Sequence, residues 1–221
     1  MNSEKGIVVR TFQCNPVQEN CFVVSDNATY QCAVIDCGAF YDTERRAVVQ
    51  YIRNNGFMLS HVLCTHAHFD HIFGLDTLYA EFGVSPRLHP ADKFIYDNMP
   101  LQVTSFLGIG YDAAMPHLGE PLADGQLIAL GSHQLRVLHT PGHSPGSVLF
   151  YMEDEQLLFA GDTLFRMSVG RTDLEGGSWT QLMDSLHRVV AQLPPAVTVY
   201  TGHGPATTIG QELRMNPYFR P

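Results

Sequence analysis

The apolar residues open the chain in short, β-branched runs. Residues 7–12, 21–24 and 33–35 predict three strands, with the turn-prone Ser25-Asp26-Asn27 between the second and the third. The spacing then lengthens. Ala47, Val48, Tyr51 and Ile52 share one face of a helix predicted over residues 43–55, with Asp42 as its N-cap and Gly56 as its stop. Residues 61–64 read as a short buried strand. A second helix is predicted over 72–82, stopped by Gly83, with Ile72, Leu75, Leu78, Tyr79 and Phe82 as its stripe. Between 85 and 119 the period is lost in a mixture of Pro, Gly, Met and aromatic residues, the pattern of loops and short helices over a site.

Strand-like runs return at 126–129, 134–138, 147–151 and 157–160. Ser178, with Gln181 three residues on, is a capping-box pattern that opens a helix to about Leu193. Leu182, Leu186, Val189 and Leu193 form its apolar face, and Pro194-Pro195 ends it. Residues 197–200 predict the last strand, and Thr208 caps a short helix that stops before Pro217. Two similar halves of strands followed by a helix predict an α/β protein with helices covering sheets. Pattern alone leaves the topology open.

Composition narrows the function classes. A chain of 221 residues suits one large domain, and 45% apolar and 16% charged residues suit a soluble globular one. The formal charge is −9, from 22 acidic against 13 basic residues, which argues against a nucleic-acid partner, since such a binder normally carries a basic excess. Cys14, Cys21, Cys32, Cys37 and Cys64 are odd in number and lack a Cys-x-x-Cys pair, as expected of reduced thiols; a Cys32–Cys37 bridge is the unsupported alternative. The start, Met1 to Gly6, lacks the pattern of a signal peptide, and no stretch has the length of a membrane span. The cytoplasm is the expected compartment, with no membrane partner.

The chemistry begins at His66-Ala67-His68-Phe69-Asp70-His71. In extended chain, alternate side chains point the same way, so His66 and His68 can reach one point. Asp70 and His71 follow where the chain turns into a helix. Imidazole and carboxylate are the usual ligands of zinc and related ions. Chance assembles such a run in roughly one of several hundred chains of this composition. Three further groups stand just after predicted strands: His143 in His139-Thr140-Pro141-Gly142-His143, Asp162 in Gly161-Asp162-Thr163, and His203 in Gly202-His203-Gly204. Seven donors exceed what one tetrahedral zinc takes, so two metals sharing a carboxylate fit the number better.

These four motifs, in this order, resemble the metallo-β-lactamase superfamily. The resemblance implies a four-layer αβ/βα sandwich with the site at one edge of two facing sheets. It implies that His66, His68 and His143 hold one metal, that Asp70, His71 and His203 hold a second, and that Asp162 bridges them. Asp70 is also the catalytic candidate. The ions are expected to be zinc, with iron or manganese also suited to such donors. Asp at 162, rather than the Cys of true zinc β-lactamases, resembles the glyoxalase II branch. So does Gly170-Arg171-Thr172-Asp173, where Arg171 matches a basic residue that contacts the carboxylate end of glutathione; an ion pair with Asp173 is the alternative role.

Few residues follow His203, so the resemblance is to single-domain glyoxalase II-like hydrolases spanning 1–221, without the helical C-terminal domain of prototypical glyoxalase II. The implied activity is metal-dependent hydrolysis of a small-molecule thioester such as S-D-lactoylglutathione, with residues 85–119 shaping the acyl pocket. No Ser or Cys nucleophile is needed, and Cys64 reads as a buried strand thiol. The alternatives are an iron-dependent persulfide dioxygenase, using residues matching His66, His143 and Asp162, or another hydrolase of the superfamily acting on a lactone or other ester.

Overall fold

The computed structural model describes residues 6–219. Its strands are β1 (Ile7–Cys14), β2 (Glu19–Asp26), β3 (Gln31–Ile35), β4 (Met58–Leu63), β5 (Pro86–Arg87), β6 (Leu127–Leu130), β7 (His133–His139), β8 (Val148–Met152), β9 (Leu157–Phe159), β10 (Leu164–Phe165), β11 (Ser168–Val169), β12 (Thr198–Tyr200) and β13 (Thr207–Thr208). The first five form one sheet in sequence order. A second sheet runs β13-β12-β9-β8-β7-β6, and β10 and β11 make a small ribbon. The helices are α1 (Asp42–Asn54), α2 (Phe69–Ile72), α3 (Leu75–Phe82), α4 (Lys93–Asp97), α5 (Met99–Leu107), α6 (Trp179–Arg188) and α7 (Ile209–Met215).

The period of two sorts the strands into layers. Phe22, Val24, Ala33 and Ile35 point from the first sheet toward Leu135, Val137, Phe150 and Phe159 of the second. Their neighbours Cys21, Val23, Cys32 and Val34 point the other way, onto Val48 and Ile52 of α1 and Leu75 and Leu78 of α3. The outer face of the second sheet, with Leu149, Leu158 and Val199, is covered by Leu182 and Leu186 of α6 and Ile209 of α7. Helix, sheet, sheet and helix make the expected four-layer α/β sandwich.

The helices differ from expectation at their ends. Tyr41, not Asp42, is the N-cap of α1, and Glu44 Oε2 accepts the backbone N–H groups of Phe40 and Tyr41 at 2.9 and 3.1 Å. The helix expected over 72–82 is two pieces divided at Gly74. There the backbone presses on residues 37 and 39: Gly74 N–H donates to Cys37 O at 2.8 Å, and an added Cβ would lie 2.6 Å from Cys37 Sγ. That contact is tertiary, and it frees Phe69–Ile72 to turn on its own at the site. The helix from Ser178 stops at Arg188 rather than Leu193 and tightens into a 3₁₀ turn, Val190–Gln192, so that Val190 is buried in place of Val189. Ser178 and Thr208 cap as expected, accepting from Gln181 N and Gln211 N.

All five cysteines are buried free thiols, so the Cys32–Cys37 bridge does not form. No helix among the described residues is long and apolar enough to cross a membrane. Residues 1–5 of the stretch read for a signal peptide lie outside the described residues.

Candidate metal centre

One edge of the sandwich collects the ends of several strands. β3 runs into Asp36, β4 into His66, β7 into the loop of His143, β9 into Asp162 and β12 into His203. β3 is parallel to β4 and β9 is parallel to β12, so the residues after them emerge on the same side. Gly202 permits a close approach, since a Cβ there would stand 2.3 Å from Asp162 Oδ1.

All seven expected donors meet here. His143 Nε2 lies 2.8 Å from His68 Nδ1 and 3.2 Å from His66 Nε2. Asp70 Oδ2 lies 3.2 Å from His203 Nε2 and 3.7 Å from His71 Nε2. Asp162 stands between the two trios. Its Oδ1 is 3.3 Å from His71 Nε2, and its Oδ2 is 3.6 Å from His143 Nε2 and 3.7 Å from His203 Nε2. Within each trio the donor atoms lie within 4.8 Å of one another, so each could hold an ion. His66 and His68 do reach one point, but through different ring nitrogens, Nε2 and Nδ1.

The partners behind the rings fix which nitrogen carries the proton. His143 Nδ1 donates to Arg171 O at 2.8 Å, and His203 Nδ1 to Val17 O at 3.1 Å. His71 Nδ1 donates to Asp36 Oδ2 at 3.0 Å. His66 Nδ1 donates to Thr65 Oγ1 at 3.1 Å, whose own hydroxyl donates to Asp36 Oδ2 at 2.7 Å. In the neutral imidazole the other nitrogen then carries a lone pair. Four rings therefore turn lone pairs inward, toward Asp162 and Asp70.

That arrangement fits a bound cation and fits little else. His71 Nε2 and Asp162 Oδ1 are buried without a hydrogen-bond partner, a costly state for either atom unless something positive binds there. Burial and the neighbouring imidazoles push His66 well below the ordinary histidine value, and burial and His143 push His68 down to about 3. Burial opposes charge on His71 too, yet Asp162, Asp70 and Asp36 raise it well above that value. Burial also opposes the charge on Asp162, but His71, His143 and His203 hold it below the usual carboxylate range. Imidazole nitrogens on one side and carboxylates on the other are the donor set of a divalent ion. The oxygens of Glu19 likewise make no hydrogen bond, but they lie behind the Nδ1 side of His71, and burial raises the carboxyl pKa well above its ordinary value.

Several supporting residues escaped the sequence reading. Asp36 orients both His66 and His71, and the signal was present: it follows a strand, as the donors do. Asp92 joins two donor segments. Its Oδ2 accepts Ala67 N–H, between His66 and His68, at 3.0 Å, and Ser144 Oγ–H, beside His143, at 2.7 Å; its Oδ1 accepts Gly146 N–H at 2.5 Å. Asn15 Nδ2 donates to Asp70 O at 2.8 Å, and Gln102 Oε1 accepts Phe69 N–H at 3.0 Å. Asp92 and Gln102 lie in the segment without a period, where no pattern marks them.

A cavity of about 250 Å³ opens over the centre, walled by Val17, Phe69, Phe106, Leu174 and Arg171. The Arg171 side chain is 55% exposed and forms a bidentate pair with Asp173, with both contacts at 2.7 Å. Burial keeps Cys64 a neutral thiol, well above its ordinary value, as expected of a strand-end core residue.

Known proteins resemble this chain in sequence and fold. The sequence profile described as the Metallo-beta-lactamase superfamily matches residues 14–203. The probable metallo-hydrolase YqgX of Bacillus subtilis is 38% identical over 95% of this chain and 96% of its own. Hydroxyacylglutathione hydrolase GloC of Haemophilus influenzae is 33% identical over 91% and 92%. Two crystal structures superpose closely: BLEG-1 B3 metallo-β-lactamase (TM-score 0.87, 34% identity, 96% and 99% coverage) and TTHA1623 in a di-iron-bound form (0.84, 36%, 95% and 100%). With the profile spanning every donor from His66 to His203, the chain belongs to the metallo-β-lactamase superfamily.

Proposed function

We propose that this protein is a hydrolase that would hold two divalent ions and cleave a small-molecule thioester, a class that includes S-D-lactoylglutathione. The observation that carries the reading is the pair of donor trios facing each other across Asp162, with His71 Nε2 and Asp162 Oδ1 both unpartnered. His66, His68 and His143 would hold one ion and Asp70, His71 and His203 the other, with Asp162 within reach of both sets. Zinc suits the donors, and iron and manganese do too; one structural neighbour, TTHA1623, is di-iron-bound. When bound, such ions supply hydroxide near neutral pH and stabilise an oxyanion.

The chain's own residues do the rest. Asp36, Thr65, Arg171 O and Val17 O hold four imidazoles in the tautomer that presents a lone pair. Asp70 lines the cavity, and although burial opposes its charge, His71 and His203 lower its pKa. It is the catalytic candidate that accepts a proton from the attacking water. Arg171 stands at the mouth, where its guanidinium meets the polar end of the thiol carrier. GloC, 33% identical over 92% of its own length, supports the substrate class.

The test is hydrolysis by metal-loaded protein of S-D-lactoylglutathione, simple acyl thioesters, an aryl ester, a lactone and a β-lactam. Thioesters are expected to be the best substrates. Turnover of the β-lactam or the lactone without thioester turnover would overturn the reading.

A further inference from the structure

Two ways lead out of the ligand cluster. One passes His203 and Arg171, whose side chains are 25% and 55% exposed; it is open and polar. The other passes His68, between Phe106 and Leu174, into a second cavity of about 210 Å³. His68, Phe106 and Leu174 line both cavities, so the two adjoin there. α4 and α5 supply the second cavity's apolar wall: Phe94, Ile95, Leu101 and Phe106.

Beside that wall the lining is polar but mostly neutral, with Asn98, Gln102 and Ser105. Gln102 spends its amide on the backbone, accepting from Phe69 N and donating to Ile95 O at 2.7 Å and Ala67 O at 3.3 Å. Glu175 is the charged residue in the lining, and no lysine or arginine joins it. Leu101, Phe106 and Phe94 remain 66%, 45% and 37% exposed. Large apolar side chains left uncovered around a cavity that reaches the chemistry mark a surface that a ligand buries.

We infer that this cavity is an acyl subsite for an apolar, uncharged acyl group, an aliphatic or aryl-ended chain rather than a small hydroxyacyl group. The inference rests on the reading of the centre as a thioester hydrolase. A carbonyl carbon over Asp162 carries two substituents. The thiol carrier takes the open polar way past Arg171, and the acyl group takes the apolar way past His68. Water oxygen bonds to the carbonyl carbon, the C–S bond breaks, and its electron pair leaves with sulfur. One water proton reaches the thiolate through Asp70, the other is lost to solvent, and a carboxylate product remains. An anionic acyl end meets Glu175 and no cation, which disfavours it.

The test is an acyl series on one neutral thiol, N-acetylcysteamine: acetyl, lactoyl, butanoyl, hexanoyl and 4-phenylbutanoyl. With metal-loaded protein, kcat/KM is expected to rise about threefold per added methylene as each is partly buried. Leu101→Asp is expected to lower the hexanoyl-to-lactoyl ratio by about tenfold. Leu101 is exposed, so the variant folds, and Leu127→Asp, at a leucine 56% exposed on β6, keeps the wild-type ratio. Calorimetry on unloaded and loaded protein reads the subsite without turnover: hexanoate should bind more tightly than lactate, and Leu101→Asp should erase the difference. Thioester cleavage with a flat acyl series would overturn the subsite while the hydrolase reading stands. Absence of any thioester cleavage would overturn the hydrolase reading, and hexanoate binding no tighter than lactate would overturn the subsite by itself.

Discussion

Asp26 and Asp162 are carboxylates withdrawn from solvent at opposite ends of the same sandwich, and their surroundings could hardly differ more. Asp26 closes β2, away from the ligand cluster. Its Oδ1 accepts Ala28 N–H at 2.8 Å, and its Oδ2 accepts Thr29 Oγ–H, Ser132 N–H and Ser132 Oγ–H at 2.9, 2.9 and 3.0 Å. Those bonds tie the turn after β2 to the turn before β7, joining the two sheets. Asp162 has an oxygen with no partner and faces imidazoles whose lone pairs point at it. The satisfied carboxylate of Asp26 serves the fold, whereas that of Asp162 faces a donor set that suits a cation.

Removing the unsatisfied end should have the largest effect on activity and a smaller one on stability. Asp162→Ala is expected to lower kcat/KM by at least about a thousandfold, beyond the roughly 10–100-fold that outer partners of a metal site cost. The unloaded variant should lose less stability than Asp26→Ala, since Asp162 Oδ1 makes no hydrogen bond in the fold and only its attraction to His71 is lost there. A matching loss of stability would place Asp162 in the same class as Asp26. Thermal melts with and without added zinc check both points.

The positioning residues come next. Asp36→Asn weakens the hold on His66 and His71, and Asp92→Asn weakens the clamp between the Ala67 and Ser144 segments. Each is expected to reduce metal affinity by about 10–100-fold, read by competition with a chelating dye. An unchanged affinity in both would show that the donors need no outer support.

Asp26→Ala should invert the pattern: about 3 kcal/mol less stability, from several bonds to a charged acceptor lost together, with metal content unchanged. The pH dependence sharpens the contrast. Burial works against the charge, but the bonds from Ser132, Ala28 and Thr29 hold the Asp26 carboxyl below its ordinary value of 3.8. The unfolded chain therefore takes up the proton first. The stabilisation is complete above about 3.9 and drains away as pH falls through the depressed folded value. Urea midpoints at about pH 5 and about pH 3 should differ less in Asp26→Ala than in the wild type.

The smallest effect is expected at Arg171. It is exposed and paired with an exposed acid, so Arg171→Ala should change stability by less than about 0.5 kcal/mol. KM for a glutathione thioester should rise, while KM for the same acyl group on N-acetylcysteamine stays put. Equal changes in both would assign Arg171 to the ion pair alone.

The contrast also shows what the chain makes legible. The donors could be read because each follows a strand and sits in a dense, chemically unusual motif, and the layers because residues such as Phe22 and Val23 alternate between two buried faces. Asp26 gave no such signal, since its partner Ser132 lies in another sheet. The break at Gly74 was hidden because Cys37, which forces it, is distant in sequence. The wall of Phe94, Leu101 and Phe106 comes from helices too short to set a period, and Asp92 is one acid among 22 acidic residues until the fold brings Ala67 and Ser144 to it. β5, β10, β11 and β13 have two residues each, below what any alternation can mark.

The central claim is that two ions bind across Asp162, and metal stoichiometry tests it most directly. Elemental analysis of loaded, thioester-cleaving protein, taken with its activity as metal is titrated in, should give two ions per chain, with activity complete at the second. Full activity at one ion per chain, or a single iron accompanied by oxygen uptake on a glutathione persulfide, would contradict it.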